Sequence, residues 1–203
     1  MTSRDDILAS IRRNRPRLER PLPAVPLFDG NPPPRLLALF KDSLERMGGV
    51  FLEPPEAGDP LQPVRDKIAG ARIVGSTVPE IAGNRAIAAV QRPQDLSDVD
   101  VAIVRAAFGV AETGSLLLTE AELQVNGIAY LAQHLIVLLD PAEIVVNLHH
   151  AYRRPEFRNC HYAAFHTGPS ATADIEGVLI HGAQGVRSLS VLPVARAAGS
   201  LSS

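Results

Sequence analysis

Apolar residues recur along this chain in short runs whose period switches from helical to extended and back. Leu36, Leu37, Phe40, Leu44 and Met47 fall on one face of a helix, and Gly48 and Gly49 stop it. Residues 50–53 read as a short strand, and Leu61, Val64 and Ile68 mark a second helix closed by Gly70. Strands follow at 72–75, leading into the loop 76–79, and at 100–104, 115–118 and 135–139. Pro141 stands at a predicted helix start, with Ile144, Val145, Leu148 and Tyr152 on its inner face. A strand at 161–167, a helix beginning near Ala171 and a last strand at 188–194 complete the pattern. Short strands apolar on both sides, alternating with helices, predict an α/β fold with a largely parallel sheet flanked by helices. Ligands in such sheets sit beyond the carboxyl ends of strands, so the loops leaving strands are where function is sought.

Proline divides the chain. Eleven of the 17 prolines lie in the first 63 residues, and Pro21, Pro23, Pro26, Pro32, Pro33 and Pro34 crowd one stretch that favours extended backbone. The expected organisation is a basic amphipathic helix at 1–20, a Pro-rich linker at 21–34, one α/β domain at 35–195 and a tail at 196–203. In the first segment, Ser3 and Asp6 have capping-box spacing, and Ile7, Leu8 and Ile11 form an apolar stripe. Arg12, Arg13, Arg15, Arg17 and Arg20 follow it. Such a helix docks a partner or an anionic surface, or it packs on its own domain; the sequence leaves both open.

Composition narrows the function classes. Cys160 is the single cysteine, which excludes a disulfide framework, a four-thiolate zinc site and an iron–sulfur cluster held by this chain alone. A net charge of −2 and the absence of Trp argue against nucleic acid as a partner. No apolar run approaches the ~20 residues that span a bilayer, and no signal-peptide core precedes the domain. A soluble, cytoplasmic protein is expected.

Two loops carry the richest candidate chemistry. Ala111-Glu112-Thr113-Gly114-Ser115 lies between two strand-like runs; its glycine permits close backbone approach and its hydroxyls can donate. Glu112 is the candidate catalytic carboxylate, and a tight turn with a solvated Glu112 is the plainer alternative. The second loop contains Gly168, Pro169, Ser170, Thr172, Asp174 and Glu176. Read as the entry to a helix, it offers free amides and hydroxyls to an anion, or it is an ordinary helix cap. All six histidines lie from His134 onward, without metal-ligand spacing, so no metal is expected. His134, just before the strongest strand, is a further binding candidate. Neither a P-loop lysine nor a dinucleotide fingerprint is present, and no cofactor is expected.

In series, the blocks Ala111-Glu112-Thr113-Gly114-Ser115-Leu116-Leu117-Leu118, His134-Leu135-Ile136-Val137-Leu138, Thr167-Gly168-Pro169-Ser170 and Thr172-Ala173-Asp174-Ile175-Glu176, then Gly182 and Gly185 before Val191, resemble the LUD-domain family, within it the lactate-utilisation protein C type. The resemblance covers roughly residues 30–195. It implies a fold similar to the sugar-phosphate isomerase and CoA-transferase superfamily. It also implies an accessory role in oxidising L-lactate to pyruvate beside iron–sulfur partner proteins, with a small anionic metabolite held by Thr113, Gly114, Ser115, His134 and the second loop. The sequence departs from the family pattern at Ala171, where a basic or polar side chain is usual, at Gln184 and Val186, where His and Pro are usual, and in residues 125–133, which hold no clear counterpart of a family arginine. By analogy with CoA transferases, Glu112 before Thr113-Gly114 resembles an acyl-accepting glutamate, which keeps a stand-alone isomerase or acyl-transferase as an alternative. A non-catalytic assembly protein is the third reading.

Overall fold

The computed structural model describes residues 2–16, 23–31, 33–172, 180–181 and 185–196. In chain order the elements are α1 (Ser3–Asn14), α2 (Leu36–Arg46), β1 (Val50–Phe51), α3 (Gln62–Ile68), β2 (Val74–Ser76), β3 (Val101–Arg105), β4 (Phe108–Val110) and β5 (Ser115–Thr119). They continue with α4 (Glu120–Leu123), α5 (Ile128–Leu131), β6 (His134–Leu139), β7 (Ile144–Val145), α6 (Leu148–Ala151), α7 (Pro155–Arg158), β8 (Ala163–His166), β9 (Ala171–Thr172), β10 (Ile180–His181) and β11 (Ser188–Pro193).

Five strands form a wholly parallel sheet in the order β1-β11-β6-β3-β2. The predicted α/β architecture with a largely parallel sheet is what forms. Its central strands are apolar on both sides because both faces are covered: every residue of β3 is buried, as is every residue of β6 after His134. On one face α2 seats Phe40 and Leu44 against Val104, Val137, Leu139 and Val191. Burying two such side chains contributes about 1.5–3 kcal/mol each. On the other face, Val64 of α3 packs with Ile103, Ile136, Leu138 and Leu192.

A second, four-stranded sheet, β7-β4-β5-β8, grows from the first. Only two residues separate β3 from β4, and Ala106 still donates to Leu138 O before the chain turns into the new sheet. β4 and β5 are an antiparallel hairpin, and β8 adds antiparallel to β5. Two expectations are corrected here. Pro141 opens a single 3-10 turn, capped by Asp140 accepting from the Ala142 amide, and not a longer helix. Ile144 and Val145 are β-branched and pair in parallel with Gly109 and Val110 as β7, so helix resumes only at α6. Ala171 and Thr172 likewise form a strand, β9, paired antiparallel with β10 in a two-stranded unit, and no helix begins there.

The N-terminal helix forms as expected, with its capping box one residue earlier, at Thr2 and Asp5. None of its residues is buried. Within the Pro-rich stretch, residues 25–29 are fastened to α6. Asn147 donates to Leu27 O at 2.8 Å, Arg153 donates to Val25 O at 3.0 Å, and Phe28 lies 4.7 Å from the His149 ring. Among the described residues no helix is long and apolar enough to cross a membrane.

Candidate functional site

The two candidate loops come together although they are far apart in sequence. Residues 111–114 form the tight turn of the β4–β5 hairpin, and Thr167 to Ser170 leave β8, which pairs with β5. Thr113 and Ser115 share a hydrogen bond between hydroxyls at 2.7 Å, and Ser115 and Thr167 another at 2.5 Å, across 52 residues of chain. Ser115 is buried, so this row of hydroxyls joins the loops from inside.

Both loop glycines are explained by the approach of α2. Gly114 has φ +67°, and a Cβ there would sit 2.3 Å from the Leu44 amide nitrogen. Gly168 has φ +70°, and a Cβ there would sit 2.1 Å from the Met47 carbonyl oxygen. Ser43 adds a hydrogen bond to Glu112 O at 3.2 Å. The motif glycines are thus where the end of α2 is locked onto the second sheet.

Glu112 stands apart from the hydroxyl row. Its side chain is exposed, and its Oε2 accepts a long hydrogen bond, 3.4 Å, from the Leu148 amide at the start of α6. The carboxylate thus stands at the surface of the turn, engaged with the start of a short helix.

Beyond Gly168 a cleft of about 320 Å³ opens, bounded by Tyr130, His166, Pro169, Ser170 and Gly185 together with Phe165 and Val186. The Ser170 amide donates to Val186 O at 3.0 Å, and a Cβ on Gly185 would crowd the Ser170 side chain at 2.9 Å. The backbone therefore narrows at the base of the cleft. His166 lies 5.1 Å from the Tyr130 ring, and burial lowers its pKa to about 4. The imidazole is neutral at pH 7, and its buried Nε2 finds no partner among the described residues. Tyr130 and Tyr162 share a hydrogen bond between their phenol oxygens at 2.5 Å; burial first, then this bond, raises the Tyr162 pKa. The lining is thus uncharged and rich in hydroxyl and aromatic groups. It suits a small polar ligand held by hydrogen bonds. Thr172 follows on β9, while Asp174 and Glu176 lie outside the described residues.

His134 does not join this cleft. It is the first residue of β6, and its Nδ1 shares a 2.8 Å hydrogen bond with Ser188 Oγ. It lines a different cavity, with Lys67 of α3. Two other histidines hold structure: the His149 ring and His150 Nε2, 3.4 Å from Asp29 Oδ2, help fasten the 25–29 segment. Cys160 donates its thiol to Phe157 O. Among the described residues no group of three metal-ligating side chains converges.

One polar cluster escaped the sequence reading. At the carboxyl ends of β2, β3 and β11, Arg105 is buried and donates to Glu80 at 2.6 Å and to Val194 O at 3.2 Å. Its signal was present: a cation standing at the end of an unbroken apolar strand. Thr77 Oγ1 and Glu80 Oε2 are buried beside it without partners among the described residues.

Comparison with known proteins accords with the motif order. A family model described as the LUD domain matches residues 61–194. The crystal structure of a DUF162 family protein from Deinococcus radiodurans superposes with a TM-score of 0.60 over 79% of this chain and 96% of that one, at 16% identity, a likeness of fold. No curated protein matches the sequence. The matched segment takes in four of the five strands of the parallel sheet, all but β1, with the whole second sheet and both candidate loops, and the chain belongs to the LUD-domain family.

Proposed function

We propose that this protein is an accessory subunit of an L-lactate utilisation system, working beside iron–sulfur partner proteins and binding a small anionic metabolite in the cleft bounded by Tyr130, His166, Ser170 and Gly185. The observation that carries the reading is the meeting of the two family motifs at Ser115 and Thr167, directly behind that cleft. Family membership supports the lactate connection. Oxidising L-lactate to pyruvate removes two electrons and two protons from one carbon–oxygen unit. A chain with one cysteine cannot hold a four-thiolate cluster to receive those electrons, so the partners carry them. This subunit's part is then to hold the hydroxy or keto acid. Ser170 and the backbone around Gly168 and Gly185 supply neutral donors, and the neutral His166 adds no repelling charge.

The test is calorimetry with L-lactate and pyruvate on the wild-type protein and on Ser170→Ala and Thr167→Val. Binding is expected to weaken about tenfold on loss of one hydrogen bond to a charged group. Unchanged binding in both variants removes the cleft from the reading. Capture of iron–sulfur proteins by the intact chain without any metabolite binding turns it into an assembly protein.

A further inference from the structure

A second cavity, of about 250 Å³, opens on the face of the parallel sheet that carries α3. Its walls are Lys67 from the last turn of α3, Val101 of β3, His134 and Ile136 of β6, and Ser188 and Ser190 of β11. β6 and β11 are in register, with His134 opposite Ser188 and Ile136 opposite Ser190, and side chains two apart on a strand share a face. Further along the same face, Ile103, Leu138 and Leu192 are core. At the amino end this apolar layer gives way to an ammonium, an imidazole and two hydroxyls.

Among the described residues no carboxylate lines the cavity. The two acids adjacent in sequence are engaged elsewhere: Asp66 accepts from Gln62, and Asp100 accepts from the amides of Arg72 and Ile73. Lys67 is exposed and forms no ion pair with a described residue. Ser190 is only 2% exposed, and its side chain lines the cavity. The His134–Ser188 pair adds a donor in either tautomer. If Ser188 donates to Nδ1, then Nε2 carries the proton; if Nδ1 donates, the Ser188 hydroxyl hydrogen is released.

We propose that this cavity is a phosphate-binding site that takes the phosphoryl group of a small phosphomonoester. Phosphate fits better than carboxylate because donors arrive from three elements, α3, β6 and β11. Three terminal oxygens in a tetrahedral array can meet them together, whereas a carboxylate has two oxygens in one plane. The site lies on the opposite face from the lactate cleft, shares no residue with it and stands independently of it.

Calorimetric titration with inorganic phosphate tests the proposal, at an ionic strength near 0.15 M so that diffuse attraction is screened. Saturable one-site binding is expected, weakened at least tenfold in Lys67→Met and about fivefold in Ser190→Ala, as for loss of a charge-assisted and an ordinary hydrogen bond. Ser170→Ala leaves phosphate binding unchanged, which separates this site from the other. Lys67 is exposed and Ser190→Ala removes one atom, so both variants fold. Absence of binding overturns the proposal, as does binding that neither variant weakens. Equal competition by L-lactate overturns the assignment to phosphate.

Discussion

The two motif glycines do mechanical work that their sequence context conceals. Gly114 and Gly168 are held at positive φ while the backbone of α2 passes where a Cβ would be. Replacing either with Ala is expected to cost at least about 2 kcal/mol, because strain and a backbone clash add. Gly70→Ala, with open space around it, is the control and stays within about 0.5 kcal/mol. Urea unfolding of the three variants checks this. His166 makes a second residue-scale prediction. Its folded pKa of about 4 lies below the unfolded value of 6.5, so between those values the unfolded chain binds more protons. Stability is therefore full above about pH 6.5 and falls as pH drops towards 4, with no further loss from this group below that. His166→Phe removes this slope; an unchanged pH profile of unfolding refutes the buried neutral imidazole.

At the scale of elements, the parallel sheet was legible, and of the second sheet only β5 and β8 were. Runs such as residues 135–139 announce a strand buried on both faces, and β6 forms there. Phe108 to Val110 gives only three residues, and Ile144 with Val145 only two, too few for periodicity to register. Pairing decides them: β4 lies between β5 and β7, and β7, its parallel partner, is distant in sequence. For the same reason the helix expected near Ala171 was a misreading: Gly-Pro-Ser before Thr and Ala has the chemistry of a helix entry, but pairing with Ile180 and His181 overrides it. The site loops were legible because Gly, Ser and Thr cluster there. Their separation from His134 was not, because it depends on which face of the sheet each element covers. Arg105 gives the prediction at this scale. It ties β3 to Glu80 after β2 and to Val194 after β11. Arg105→Met strands a half-buried carboxylate and is expected to cost about 3 kcal/mol, with much of that recovered in Arg105→Met/Glu80→Leu. Additive losses in the double variant would falsify a shared role.

For the whole molecule, α1 and the body of the fold are separable in energy. No α1 residue is buried, so removing residues 1–16 is expected to leave the unfolding free energy within roughly 0.5 kcal/mol. Phe28→Ala, which loses the His149 contact, has no such immunity and should release the segment to proteolysis. The clasp of residues 25–29 on α6 also fixes a geometric limit. Ten residues lie between the end of α1 at Asn14 and the first clasped residue, Val25. However they are arranged, they reach at most about 35 Å. The clasp therefore sets an upper bound on how far α1 stands from α6. Anything α1 holds is confined to a small volume around α6, at an effective concentration on the order of millimolar. A weak grip by the nine exposed residues of α1 would then suffice to keep a partner at hand, and cutting the chain between helix and clasp would abolish that advantage without altering either surface.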